Sequence, residues 1–173
     1  TVDRYETFED LYRYCFCVAS SVGLACLHIF GFSDERARKY AEYCGIAFQL
    51  TNILRDIRED TLMGRTYLPI EDLQRFHYSG EDLRNAVLDD RFRRLMAFET
   101  NRARKYYAWG RNLLPLVDGA GRPALWAMME IYNHLLRKIA RRRYDVFGPA
   151  IRLSRRAKIS IALRAMAMRL LPG

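Results

Sequence analysis

The chain has 173 residues, half of them hydrophobic, and a formal net charge of +9. That length and apolar content allow one compact domain, or part of a larger one, and exclude a repeat array or a low-complexity linker, neither of which the sequence contains. The charge is uneven: residues 1–60 carry seven basic and ten acidic side chains, whereas from Arg137 onward eleven basic side chains stand against one acidic, Asp145.

The first helix is expected from about Thr7 or Glu9 to near Phe30, ended by Gly31. Its stretch YCFCVASSVGLACLHIFGFS, Tyr14 to Ser33, has no charge if His28 is neutral and is long enough to cross a bilayer. Ser20, Ser21, His28 and its small residues favour a buried core helix instead. The four cysteines, Cys15, Cys17, Cys26 and Cys44, lack any Cys-x-x-Cys or Cys/His ligand spacing and read as buried free thiols in a reducing cytoplasm. The opening TVDRYETFED has no secretory-leader pattern.

A second helix should follow a Ser33 cap, with Asp34 and Glu35 in its first turn, and run through Asp60 with a kink near Gly45. Gly64 and Pro69 break the next segment, a short helix spans Ile70 to Arg75, and Ser79 caps SGEDLRNAVL. Asp89 or Asp90 opens a longer helix, interrupted by Gly110 or ended near Pro115. DGAGR is a turn, and Pro123 opens a helix with the apolar stripe Leu125, Met128, Tyr132, Leu135 and Ile139. A last basic helix, RRAKISIALRAMAMRLL, places Ile159, Leu163, Met166 and Leu170 on one side. No alternating strand pattern is convincing, so the fold class is all-α.

The second helix carries the chemistry. Ala41, Gly45, Gln49, Asn52, Asp56 and Asp60 follow one another in steps of three or four along one face, beside an apolar line of Ile46, Leu50, Ile53 and Ile57. At about 6 Å the two aspartates repel by roughly 0.7 kcal/mol in water and about 3 kcal/mol at an effective dielectric of about 20. Arg55 and Arg58 point to other sides, Arg55 toward Glu59 four residues on, so the pair is available for a hard cation such as Mg²⁺, with Asn52 adding a neutral oxygen. An EF-hand is excluded by Thr61 and Tyr67 at its glycine and glutamate positions.

QLTNILRDIRED followed by GRTYLP, with YCFCVASSVG before it and IYNHLLRKIARRRYDVF after it, resembles the squalene and phytoene synthase family. The resemblance implies an isoprenoid synthase-type helical bundle, with residues 1–173 as a single domain forming its C-terminal portion. It implies a Mg²⁺-dependent prenyltransferase that condenses two farnesyl or geranylgeranyl diphosphates head-to-head, through a cyclopropyl diphosphate, to a squalene- or phytoene-type product. By that resemblance Asp56 and Asp60 are metal ligands. Tyr14, Arg55, Tyr67 and Tyr132 are catalytic, and Val18, Ala19, Val22, Ala41, Gly45, Gln49, Asn52 and Arg65 contact substrate. NADPH is required only if the product is squalene, and no glycine-rich dinucleotide fingerprint marks its site.

Members of that family carry an earlier aspartate-rich motif, for which Asp3, Glu6, Glu9 and Asp10 have the wrong spacing. The sequence therefore reads as lacking that motif, with an inactive fragment as the alternative. The basic C-terminal face has two further readings: a nucleic-acid-binding module, not expected for want of a docking motif, and peripheral attachment of a cytoplasmic protein to an anionic membrane.

Overall fold

The computed structural model describes residues 4–170, so Asp3 and Leu171 lie outside the described residues. Among these residues the chain is all-α: helices α1 (Phe8–Cys15), α2 (Ser21–Phe30), α3 (Arg36–Leu62), α4 (Ile70–Arg75), α5 (Gly80–Arg84), α6 (Asp90–Gly110), α7 (Arg122–Arg141) and α8 (Arg155–Leu170). The closest approach to a sheet is one isolated antiparallel bridge, Phe32 to Val117.

Helix α3 is the axis of the fold. Its apolar line Ile46, Leu50, Ile53, Leu54 and Ile57 is buried, and each such side chain contributes about 1.5–3 kcal/mol relative to exposure. α6 packs along it, with Phe92, Leu95, Met96 and Ala103 fully buried, and α1, α2 and α7 complete the surround. Two apolar clusters result. One joins α3 and α6 to α4, α5 and the end of α7. The other gathers Leu27, Ala41, Cys44, Leu113, Val117 and Leu125 at the opposite end.

Several boundaries differ from the sequence expectation. The first helix is interrupted: Phe16–Ser20 winds as a π-turn between α1 and α2, the kind of local widening that re-aims side chains without breaking a helix. Thr7 caps α1 in a reciprocal box with Asp10. Glu35, not Ser33, precedes α3, and Asp34 accepts from the Arg36 amide at 2.7 Å. α3 is assigned as one continuous helix of 27 residues, and Gly45 serves close packing: a Cβ there would sit 2.6 Å from Ser20 Cα. Ser20, fully buried, donates to the Glu42 carbonyl across the same contact at 2.9 Å.

Gly31 ends α2 at φ 76°, as expected. Ser79 and Asp89 cap α5 and α6 as expected, but α5 stops at Arg84. A 3-10 turn, Arg111–Leu116, carries Pro115.

Three burial expectations are corrected. The apolar first segment is not a buried core helix: in its most hydrophobic window only 17% is buried, and Val18, Val22 and Ile29 are exposed. Phe8–Phe30 is long and apolar enough to cross a membrane by length and composition alone. Of the cysteines, Cys15 and Cys44 are buried, Cys26 is partly so and Cys17 is exposed; all four are free. The α7 stripe divides, with Leu125, Leu135 and Ile139 buried and Met128 exposed.

Candidate functional site

α3 runs past three recesses in succession, and the polar line read from the sequence is distributed among them. The first is apolar, about 230 Å³, and lies between α2, the π-turn, α3 and α7. Val18, Ala19, Val22, Ala41, Gly45, Gln49, Asn52 and Tyr132 all line it. Eight residues that the family resemblance had marked for different roles thus line one recess. Small side chains on the π-turn and on α3 leave the volume open, and Tyr132 closes one side by stacking on Phe48 at 4.6 Å between centroids. Asn52 donates to Gln49 Oε1 at 3.4 Å, so the two carboxamides partly satisfy each other in an otherwise greasy recess.

The second recess is a groove of about 590 Å³ between the end of α3 and the segment from Val146 to Leu153. It holds Asp56 and Glu59 opposite four cations, Arg55, Arg58, Arg152 and Lys158, over a floor that includes Leu62, Leu135 and Ile151. Arg58 donates to the carbonyl of Phe147, which pins that segment to α3. Here the sequence expectation for Arg55 is corrected. It does not pair with Glu59; its Nε and Nη2 donate to the two oxygens of Asp56 at 2.7 and 2.6 Å. The side chains fold along the helix surface because a bidentate guanidinium–carboxylate pair is stronger than a single contact four residues away. The pair raises the Arg55 pKa, chiefly through that hydrogen bond.

The third recess is a narrow crevice where Asp60 meets Arg65 and Tyr67. The turn Met63–Gly64 brings Arg65 back so that its amide donates to the Asp60 carbonyl at 2.9 Å, and Gly64 supplies the left-handed φ of 74° that the turn requires. Among the described residues the Asp60 carboxylate accepts no hydrogen bond. Burial first, and the charge of Asp56 second, push its pKa up to about 6, with Arg65 pulling the other way. Behind it, Tyr67 stacks on Tyr14 at 5.2 Å and Tyr5 at 5.9 Å. Burial and a hydrogen bond with Tyr67 raise the Tyr14 pKa, so that hydroxyl keeps its proton.

The structure thus brings together Asp56 with Arg55, Asp60 with Arg65 and Tyr67, and Tyr14 with Tyr67, while Gln49, Asn52 and Tyr132 belong to the apolar recess. Sequence reasoning missed Arg58, Arg152 and Lys158 in the groove and Phe48 in the pocket. The basic run after Arg137 was a signal for Arg152 and Lys158, though charge alone did not rank phosphate, anionic lipid and nucleic acid as its partner. Nothing in the local pattern singled out Phe48. Among the described residues no three His, Cys, Asp or Glu side chains converge closely enough to hold a metal alone. Asp56, paired with Arg55, and Asp60, beside Arg65, stand four residues apart on α3; as a donor set, two carboxylates so spaced fit one half of a divalent-cation site whose remaining ligands come from a bound anion and water.

A family profile described as squalene/phytoene synthase matches residues 1–162. The chain is similar to the 15-cis-phytoene synthase of Synechococcus elongatus, with 41% identity over 84% of this chain and 51% of that one. It is similar also to the chloroplastic phytoene synthase 1 of Solanum lycopersicum, with 35% identity over 98% of this chain and 42% of that one. Among solved structures, a dehydrosqualene synthase in complex with ligand superposes with TM-score 0.86 at 31% identity, covering 95% of this chain and 58% of that one. The squalene synthase HpnC of Alicyclobacillus acidocaldarius gives 0.78 at 33% identity, covering 82% of this chain and 54% of that one. The chain spans about half the length of the curated relatives it matches. With the profile matching nearly its whole length, and with relatives and solved neighbours that share its helical fold, the chain belongs to the squalene/phytoene synthase family.

Proposed function

We propose that this chain forms the tail-binding and diphosphate-binding half of a prenyltransferase that joins two prenyl diphosphates head-to-head, through a cyclopropyl diphosphate, to a squalene- or phytoene-type lipid. The observation that carries this reading is the layout along α3, where an apolar pocket in one stretch is followed by paired carboxylates and arginines in the next two turns. An isoprenoid diphosphate has that same order, a long apolar tail ending in two phosphates. Val18, Ala19, Val22, Ala41 and Gly45 leave room for the tail, and Phe48 with Tyr132 offers a π-face toward it. Such a dry, aromatic wall excludes water from an allylic cation and favours its positive charge.

Arg55 and Arg65 lie beside the carboxylates and orient a departing diphosphate, with Arg58, Arg152 and Lys158 adding positive potential in the groove. Asp56 and Asp60 would hold Mg²⁺, which when bound supplies charge neutralisation to the diphosphate. Tyr14, kept protonated by burial and by Tyr67, would donate a hydrogen bond toward that end. NADPH enters only for a squalene product.

The experiment is incubation of the longest polypeptide that contains this chain with farnesyl or geranylgeranyl diphosphate and Mg²⁺, following pyrophosphate release and lipid product. Turnover that survives the double change Asp56→Asn, Asp60→Asn would remove this mechanism. Absence of turnover, together with no Mg²⁺-dependent binding of a non-hydrolysable prenyl diphosphate analogue, would leave the inactive-fragment reading.

A second reading concerns placement in the cell: a cytoplasmic protein that rests on a membrane through α8. Ile159, Leu163, Met166 and Leu170 are exposed on that helix, among Arg155, Arg156, Lys158, Arg164 and Arg169. Flotation with anionic liposomes tests it, and lack of binding at low salt would sink it.

A further inference from the structure

Away from that site, α6 buries two carboxylates around one guanidinium. Arg102 Nη1 donates to Asp72 Oδ2 at 2.6 Å and to Glu99 Oε1 and Oε2 at 2.7 and 2.8 Å, and Nη2 reaches Asp72 Oδ1 at 3.3 Å. The Asp72 and Glu99 side chains are 4% and 2% exposed. The guanidinium lies 4.1 Å from the ring centroid of Phe8 and 4.7 Å from that of Phe98, so aromatic rings cover much of it, and the Arg102 side chain is 16% exposed. α1, α4 and α6 each contribute to this cluster.

Its charges do not balance. Two ionised carboxylates against one arginine leave a net negative charge around a mostly buried site; the nearest further cation, Arg75 of α4, lies over the Phe98 ring at 4.7 Å and makes no ion pair with either acid among the described residues. From α1 comes the Cys15 thiol, pushed up to about 12 by burial and so neutral. On α6, burial raises the Tyr106 pKa, and its charged or polar surroundings are Arg102, Tyr43, Cys15 and Glu42. The same Arg102 Nη1 bonds to both acids, at 2.6 Å to Asp72 and 2.7 Å to Glu99, so one cation holds two buried carboxyl groups close together, an arrangement that favours keeping one of them protonated.

We propose that Glu99 holds a proton at neutral pH, and that this acid, bonded with Asp72 to the one Arg102 guanidinium, is part of a pH-sensitive clasp fastening α4 and the N-terminal segment to α6. The electrostatics agree in direction, since burial pushes Glu99 up to about 8 and Arg102 opposes that rise without cancelling it. The clasp has reach because α4 carries the N-terminal segment with it. The Ile70 amide donates to the Tyr5 carbonyl at 2.9 Å, the Glu71 amide to the Glu6 carbonyl at 3.1 Å, and the Phe8 amide to Glu71 Oε1 at 2.6 Å. Tyr5 in turn stacks on Tyr14 and Tyr67. The cluster therefore positions the tyrosine stack; that last consequence rests on the reading of the site given above, while the clasp itself does not.

The sign follows from linkage. The folded state keeps a proton that the unfolded chain gives up near the ordinary glutamate value of 4.5, so stability falls as pH rises from there to about 8. The full chain is to be compared with Glu99→Gln, which keeps the size and hydrogen-bonding capacity of the acid but cannot ionise. Between about pH 6 and about pH 9 the wild-type unfolding midpoint is expected to drop, with the variant's drop at most half as large. Over the same range, exchange of the Ile70 and Glu71 amides, corrected for intrinsic base catalysis, should speed up about tenfold in the wild type only. Carboxyl titration followed by NMR in the unmodified chain decides the matter even if the variant fails to fold. Parallel pH profiles for the two proteins, or both carboxylates titrating in the ordinary acid range, would overturn the proposal.

Discussion

The molecule contains two clusters of the same make-up, two carboxylates and a nearby arginine, with opposite fates. At the end of α3, Asp56 and Arg55 are 27% and 29% exposed in their side chains, and the Asp60 carboxylate accepts no hydrogen bond among the described residues. Under α1, the Asp72 and Glu99 carboxylates are sealed, 4% and 2% exposed, and both are bonded to Arg102, itself 16% exposed. A sealed acidic cluster must complete itself from within, with a guanidinium and a proton, because nothing else can enter. An open one can stay electrostatically unfinished, and an unfinished acidic pair beside an apolar pocket is a place for a cation and its anion. The difference separates structural acids from functional ones, which composition and spacing do not.

The largest expected effect that tests this contrast is Arg102→Ala. It strands two buried carboxylates and should lower stability by about 3–5 kcal/mol in chemical denaturation; a loss below about 1 kcal/mol would mean that water reaches the sealed cluster after all. Next comes Gly45→Val, which forces a side chain into the 2.6 Å approach to Ser20. Overpacking of that kind costs about 1–3 kcal/mol, read from the thermal unfolding midpoint, and also fills the shared wall of the apolar pocket.

Asp60→Asn at the open cluster should do the reverse of Arg102→Ala. Relief of its repulsion from Asp56 changes stability by less than about 1 kcal/mol, in the favourable direction, while calorimetric titration with Mg²⁺ and a prenyl diphosphate analogue loses its metal dependence. A large destabilisation would class Asp60 with the structural acids. The smallest effect is expected for Arg55→Lys: Lys cannot reproduce the bidentate contact with Asp56, so analogue affinity falls by about three- to tenfold at unchanged stability.

Much of this was legible in the residues. The helical periodicity of α3, the Ser79 and Asp89 caps and the stop at Gly31 are local chemistry, written in turns of three or four residues. The small residues Val18, Ala19, Val22, Ala41 and Gly45 were named through the family resemblance, and the fold brings them to one recess. The π-turn at Phe16–Ser20 was not legible, since no residue there forbids an ordinary α-helix. It ends at Ser20, which packs against Gly45, a contact between positions 25 apart in sequence. Arg55 was assigned to Glu59 for the same reason: spacing offers several partners and only the solvent geometry of the finished helix selects Asp56.

By itself, then, the sequence determined the class, the helix order, the family resemblance and the identity of the polar line on α3, because these depend on short-range propensity and pattern. Only the tertiary structure decided that the line passes through three separate recesses, that Arg152 and Lys158 come to face Asp56, and that Asp72, Glu99 and Arg102 meet in the dark between three helices. Burial and charge balance depend on which distant segments fold against one another. A carboxylate's surroundings, and with them its protonation and its use, are set by that packing rather than by its neighbours in the chain.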